Sequence, residues 1–246
     1  ATSRESVYAD KAMIMTQKIY TEPNGEYLRN NPAWHIEDSS WKARHVVKML
    51  NRNSLNPKTV AEAGCGAGEI LNQLYSSLPD DVQFTGYDIS GDAINLARQR
   101  SKERLGFRHE NFPETDEKYD LLLMMDVFEH VDDYLGFLRS CKNKAKNTIF
   151  HVPLDISVQG IMRNKLMTLR NSVGHLHYFT KETALATLVD SGYVILDFFY
   201  TAGILDLPAK TIKSRIARIP AKLLYKLNQD LAAKLTGGFS LLVLAK

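Results

Sequence analysis

The segment Val60-Ala61-Glu62-Ala63-Gly64-Cys65-Gly66-Ala67-Gly68-Glu69-Ile70 sets three alternate glycines between a short apolar run and the start of a helical period. Glycine reaches positive φ without steric cost and, lacking Cβ, lets a ligand come against the backbone. A strand feeding this turn, then a helix with Ile70, Leu71 and Leu74 on one face, brings bare backbone to the carboxyl edge of a sheet. Open α/β folds bind small molecules there. The first N–H groups of the helix add donors for a polar or anionic ligand. The alternative is a tight turn with no ligand, although a single glycine would serve that purpose.

From Lys58 onward, short apolar runs alternate with helical periods. Strands are expected at KTVAEA, VQFTGYD, GFRHEN, YDLLLMMD, NTIFHVP, YVILDFFYT and FSLLVLA, and helices at AGEILNQLYSSL, SGDAINLARQRSKERL, VDDYLGFLRSCKNK and TKETALATLVDSG. Strands joined by helical crossovers form a parallel α/β sheet, and the nearly continuous apolar runs suit strands covered on both faces. Ser90 is expected to cap one helix, Thr180 with Thr183 to open another, and Gly192 to end it. The chain reads as a single domain over 1–246, with a helical lid at 1–50, a sheet core at 51–202 and 237–246, and a basic helical insertion at 203–236. In the lid, Trp34, His35 and Trp41 would form an acceptor wall or a small packed core. The segment LDISVQGIMRNKLMTLRNSVG is a second wall.

With 246 residues and 44% hydrophobic content, the chain can bury a sizeable core. It has no run of 18 apolar residues, so no spanning helix is expected. The first residues lack an apolar block with a cleavage site and lack an initiator Met; the expectation is a trimmed start without a secretion signal. Cys65 and Cys141 fit neither a disulfide framework nor a zinc cluster, so a reducing cytoplasm is expected and no metal site. Seven of the Lys/Arg residues fall in 203–236 against two acids, leaving the remainder slightly acidic and offering no electrostatic case for nucleic acid. In that segment Ile212, Ile216, Ile219, Leu223, Leu227, Leu231 and Leu235 form an apolar stripe, divided into two helices at Pro220. Such a stripe packs on its own domain, on a second copy in a homodimer, or peripherally on an anionic membrane.

A nicotinamide dinucleotide is the competing ligand for the glycine loop. Its Gly-x-Gly-x-x-Gly fingerprint puts the third glycine one place later, and Glu62 suits a cationic amine better than two phosphates. Asp88 ends the second strand and can accept both ribose hydroxyls or cap the next helix. Asn111 can read an adenine edge, with Phe112 beside the ring, or shape the turn before Pro113.

In this ordered set, EAGCGAG, the acid in FTGYDIS, YDLLLMMDVFEHVDD and GHLHYFTKETALATLVDSGY, the chain resembles the class I S-adenosylmethionine-dependent methyltransferases of the small-molecule branch. The resemblance covers roughly residues 40–202 and the last strand. It implies a seven-stranded, mostly parallel, doubly wound sheet with an antiparallel last strand. It also implies S-adenosyl-L-methionine as cofactor, with S-adenosyl-L-homocysteine as product. Glu62 would lie near the methionine amine, Gly64 and Gly66 beneath the ligand, Asp88 at the ribose, and Asn111 and Phe112 around adenine, with Ile89 also among the cofactor-binding residues. Asp126 would sit near the methionine part, and Lys42 or Arg44 would meet its carboxylate or lie on a helix surface. The family commonly has Asp where Asn111 stands.

Methyl transfer needs alignment and, for a hydroxyl acceptor, proton removal. His175, His151 and His130 fall near carboxyl edges of strands and are the candidate bases, each with a bracing role as its alternative; His177 equally braces its loop. The expected acceptor is a small molecule such as a sugar, glycan or lipid precursor. A protein or RNA methyltransferase is the alternative, and a non-catalytic cofactor-binding module the second. The chain reads Asp126-Val127-Phe128-Glu129 where base and amide methylases carry Asn/Asp-Pro-Pro-Tyr/Phe.

Overall fold

A computed structural model of the chain describes residues 36–208, 215, 216 and 218–246, so the expectations for residues 1–35, with Trp34 and His35, and for Ile212 lie outside the described residues. The strands are β1 (Thr59–Ala63), β2 (Gln83–Asp88), β3 (Leu105–His109), β4 (Tyr119–Met125), β5 (Ala145–Pro153), β6 (Ile195–Thr201) and β7 (Ser240–Ala245). They form one sheet in the order β3-β2-β1-β4-β5-β7-β6. The first five pair in parallel, and β7 runs antiparallel between β5 and β6. This is the expected seven-stranded, mostly parallel sheet.

Before β1 lies α1 (Ser39–Arg52), and between the strands lie α2 (Glu69–Tyr75), α3 (Gly91–Arg98), α4 (Tyr134–Cys141), α5 (Val158–Met162), α6 (Lys165–Val173), α7 (Lys181–Asp190), α8 (Ile219–Leu227) and α9 (Gln229–Thr236). Successive strand residues point to opposite faces, and the core divides accordingly. On one face Leu121, Leu123 and Met125 of β4 meet Val46 and Met49 of α1, Leu71 of α2 and Ile94 of α3. On the other, Leu122 and Met124 pack with Phe150, Leu138 of α4 and Leu188 of α7. Each such buried side chain stabilises the fold by about 1.5–3 kcal/mol relative to exposure.

Local signals set most boundaries. The Ser90 hydroxyl accepts from Ala93 N at 3.4 Å, Thr180 and Thr183 form a reciprocal cap, and Gly192 takes φ 92° after α7. The helix expected from Ser90 to Leu105 instead stops at Arg98. The polar run Gln99 to Arg104 has no apolar face to bury, and Leu105, 1% exposed, is claimed by the sheet, where it pairs with Phe84.

Among the described residues, the apolar stripe of the basic segment is not covered by its own domain. Leu223 is 59% and Leu227 85% exposed, whereas Ala221, Ala232 and Ala233 are the buried residues of α8 and α9. Pro220 sits in the first turn of α8, where its missing N–H is harmless. The chain breaks again at Asn228, whose side chain caps α9 by accepting from Leu231 N at 2.9 Å. No helix among the described residues is long and apolar enough to cross a membrane.

Gly68 precedes α2 with φ 76°, and a Cβ there would overlap the Phe107 ring and lie 3.1 Å from Ala97 Cβ. Gly68→Ala therefore costs about 2–4 kcal/mol, combining left-handed strain with overpacking. Urea denaturation measures it against Gly106→Ala, where an added methyl meets nothing within 4 Å. Equal midpoints for the two variants would contradict this packing.

Candidate functional site

The carboxyl ends of β1, β2, β4 and β5 open on a cavity of about 860 Å³. It lies where neighbouring β1 and β4 send their connections apart, the position at which doubly wound sheets bind ligands. Nine carboxylate side chains and one lysine, Lys42, are among its lining residues, so its field favours a cationic ligand.

Backbone hydrogen bonds shape the glycine loop. Gly64 N and Cys65 N donate to Tyr87 O at 2.8 and 2.9 Å, and Gly66 N donates to Asp88 Oδ2 at 2.8 Å. Gly64 has φ 71°, and a Cβ there would come within 2.8 Å of Val127. Asp88 Oδ1 accepts from Ser90 N at 2.8 Å, so this one carboxylate clamps the loop and fixes the start of α3. Burial raises its pKa, although both N–H donors favour the ionised form. Glu62, at the end of β1, is 1% exposed, and its Oε2 meets no hydrogen-bond partner among the described residues. Burial drives its pKa well above the usual carboxylate range, with Asp88 adding to the effect and Lys42 opposing it.

Asp126 follows β4 in a left-handed conformation, φ 58°. Its N–H donates to His151 O at 3.0 Å, its Oδ1 lies 2.5 Å from His151 Nδ1, and its Oδ2 2.8 Å from Lys42 Nζ. Lys42 also meets Asp38 at 3.0 Å. Burial disfavours the ammonium, but Asp126 and Asp38 outweigh it and hold Lys42 above its ordinary pKa. Burial likewise opposes ionisation of Asp126, while His151 and Lys42 prevail and keep its pKa far below the usual range. Lys42 is thus a buried bridging cation, while Arg44 donates to Ser40 Oγ at 3.0 Å on the exposed side of α1.

The adenine candidates lie at the cavity but are differently engaged. Asn111 donates to Glu114 Oε1 at 2.7 Å within its own loop. Phe112 is 2% exposed and meets the Tyr87 ring edge-on at 5.0 Å, so most of its ring belongs to the core. Ile89, 38% exposed, presents apolar surface on the same side.

Of the histidines, His151 has both ring nitrogens engaged, the second with Thr201 Oγ1 at 2.9 Å. His130 donates from Nδ1 to Gly174 O at 3.2 Å, and His175 Nδ1 lies 2.6 Å from Asp155 Oδ2. Their rings stand edge to face, 4.8 Å apart, and both residues line the cavity. His177 Nε2 donates to Val131 O at 2.9 Å and braces the loop. Glu129 holds this corner together: its backbone carbonyl accepts from Leu176 N at 2.8 Å and His177 N at 3.1 Å. Sequence reasoning overlooked Glu129, Asp155, Thr201 and Asp38. Only Glu129 left a signal, as an acid directly before His130 in a loop that closes a strand.

Trp41 of α1 and Leu169 and Val173 of α6 are among the residues lining the cavity. The chain matches the model of a family described as a methyltransferase domain over residues 34–197. A ubiquinone biosynthesis O-methyltransferase of Glaesserella parasuis serovar 5 is 30% identical over 131 residues, covering 46% of this chain and 54% of that protein. The chain thus spans about half the length of the curated relatives it matches. Among solved structures, magnesium protoporphyrin IX methyltransferase from Synechocystis PCC 6803 with bound S-adenosylhomocysteine superposes with TM-score 0.56 at 17% identity, covering 97% of this chain and 95% of that one. The plantazolicin methyltransferase BamL, with a desmethyl analogue and S-adenosylhomocysteine, gives TM-score 0.60 at 15% identity, covering 99% and 98%.

Glu62→Gln tests the buried carboxyl. A group with a raised folded pKa contributes its stability fully below its unfolded value, about 4.3, and loses it as pH climbs toward the folded value. The ligand-free variant should melt close to the parent near pH ~4 and increasingly above it as pH rises. A melting difference independent of pH would rule out an ionisable buried Glu62.

Proposed function

The chain belongs to the class I S-adenosylmethionine-dependent methyltransferases, and from that premise we propose that it methylates an oxygen of a small-molecule acceptor, a sugar, glycan or lipid precursor. The orphaned carboxylate of Glu62 carries the reading. Beside bare loop backbone, in a cavity rich in carboxylates, it calls for a ligand bearing an ammonium and a sulfonium. Bound S-adenosylmethionine supplies an electrophilic methyl group and leaves as S-adenosylhomocysteine.

In this reading Glu62 meets the amine, Gly64 and Gly66 pass beneath the ligand, and Asp88 accepts the ribose hydroxyls. Ile89, Asn111 and Phe112 flank the adenine, with Ile89 giving most of the apolar contact. Lys42 offers positive charge to the methionine carboxylate through its place beside Asp126. With both nitrogens engaged, His151 positions Asp126, and proton removal falls to His130 and His175. Alignment of donor and acceptor supplies much of the acceleration. The name of the curated relative, an O-methyltransferase, supports an oxygen acceptor.

Calorimetry with S-adenosylhomocysteine tests the cofactor site, and labelled methyl donor offered to a cell-extract metabolite pool tests turnover. Asp88→Ala is expected to weaken S-adenosylhomocysteine binding by about 1.5–3 kcal/mol, roughly tenfold to a hundredfold. Unchanged affinity removes ribose recognition by Asp88. Binding without turnover leaves a non-catalytic module, and labelled protein or RNA favours the macromolecular alternative.

The outward stripe of α8 and α9 supports a second proposal: a cytoplasmic enzyme that rests peripherally on an anionic membrane. Ile219, Leu223 and Leu227 are exposed beside Lys222 and Lys226, the composition of an interfacial helix. A second copy of the chain is the competing occupant. Sedimentation with anionic liposomes should retain the protein at low salt and release it at high salt. Complete recovery in the supernatant at low salt, with a dimer in velocity sedimentation, assigns the face to the homodimer instead.

A further inference from the structure

Where the loop after β4 meets the segment before α7, Glu129, His130 and His175 each bring a ligand atom to within 4.8 Å of the others. We propose that this cluster binds a divalent transition-metal ion whose open coordination position faces the cavity and receives the reacting oxygen of the acceptor. The ion site stands on the residues alone; the acceptor role rests on the methyl-transfer reading.

Four observations carry it. First, Glu129 is 0% exposed, and neither carboxylate oxygen meets a hydrogen-bond partner among the described residues. A buried carboxylate so placed is costly unless a cation or donors satisfy it. Second, each histidine turns Nδ1 to a separate acceptor, His130 to the Gly174 carbonyl and His175 to the Asp155 carboxylate. In each neutral ring Nε2 then carries the lone pair. Metal-ligating histidines are typically oriented in this way, with the other nitrogen donating to a carbonyl or carboxylate.

Third, the separation suits one ion. A point shared by three atoms that far apart lies about 2.8 Å from each, and metal bonds to imidazole or carboxylate run about 2.0–2.2 Å. Closing by ~0.7 Å is within the reach of small side-chain rotations. Fourth, His130 and His175 line the cavity while Glu129 lies behind them, so an ion held by all three would face the acceptor space. Two imidazoles and one carboxylate favour zinc, iron(II) or manganese over magnesium or calcium, which prefer oxygen ligands.

The expectation of no metal site followed from the cysteines. The fold brings His175 back beside the Glu129-His130 pair through the hydrogen bonds to the Glu129 carbonyl. With their Nε2 lone pairs on the ion, His130 and His175 assist proton removal through it rather than as free bases: the bound acceptor hydroxyl loses its proton to water more readily. The oxygen lone pair then forms the new carbon–oxygen bond while the carbon–sulfur bond breaks and its electron pair stays on sulfur.

The test uses the full chain, treated with chelator and dialysed separately against Co²⁺, Zn²⁺, Mn²⁺ or Mg²⁺. Bound metal is counted by mass spectrometry, with visible absorption as a second readout for Co²⁺. One Co²⁺ or Zn²⁺ per chain is expected, and Glu129→Gln and His175→Ala should each weaken it by at least ~10–100-fold. Both variants should retain S-adenosylhomocysteine binding, which reports an intact fold. No stoichiometric ion in the unaltered chain, with S-adenosylhomocysteine still bound, overturns the site and leaves methyl transfer standing. Undiminished ion binding in both variants overturns it too. An ion bound by a chain with no affinity for S-adenosylhomocysteine overturns the acceptor role.

Discussion

The arrangement of the cavity depends on one carboxylate, that of Asp126. It joins α1 through Lys42 and β5 through His151, and His151 extends the chain to Thr201 at the end of β6. A left-handed backbone at a residue with a side chain costs about 1–2 kcal/mol. It persists because His151 engages both the N–H and Oδ1, through its carbonyl and its Nδ1, while Lys42 engages Oδ2. Lys42 is buried and the Asp126 side chain a quarter exposed, so their contact ties α1 to the end of β4 with its charge only partly screened. The depressed pKa of Asp126 keeps this contact charged through the ordinary carboxylate range, and its stabilising contribution is lost only as pH falls below that range toward the folded value.

Lys42 stands between two buried carboxylates that it does not hydrogen-bond. It partly offsets the raised pKa of Glu62 on the glycine-loop side and that of Glu129 on the histidine side. Neither Glu62 Oε2 nor either oxygen of Glu129 meets a hydrogen-bond partner among the described residues, and both burials reduce stability at neutral pH. That cost has a direction: any cation bound beside Glu62 or Glu129 relieves it. The cavity is preorganised in the electrostatic sense, its fixed charges already set before a ligand arrives.

Local signals made the frame legible in the sequence. The glycine loop, the acid closing β2, the caps at Ser90 and Thr180 and the stop at Gly192 each rest on a few adjacent residues, and each is where those residues placed it. Legibility failed where a residue's role depends on distant partners. Leu105 left its helix because the sheet buries it. Phe112 turned into the core because Tyr87 and Tyr119 stand beside it. Glu129 in a loop reads as a solvated charge, and only the packing of β4, α4 and the His175 segment takes it out of water. The stripe on α8 and α9 has helical period, yet period cannot say which way a face turns, and the small alanines took the inward positions.

The acceptor side differs physically from the cofactor side. The glycine loop and Asp88 rest on the sheet and are clamped by main-chain hydrogen bonds. The opposing wall is α6, a helix with no buried residue, entered through Asn164 at φ 52° and left through Gly174 at φ 80°. Leu169 and Val173 face the cavity while Met167 is 57% exposed, so the helix is wetted on one side and open to ligand space on the other. Its tether is Tyr178, whose hydroxyl donates to Leu166 O and His175 O, each at 3.0 Å. Elements with few buried apolar contacts open at a small fraction of the global unfolding free energy. The same tether touches the backbone of His175, so displacing the wall also disturbs the histidine corner. Access for an acceptor and the geometry that would act on it are thereby coupled through Tyr178 and through the Gly174 carbonyl that His130 Nδ1 meets at the end of α6.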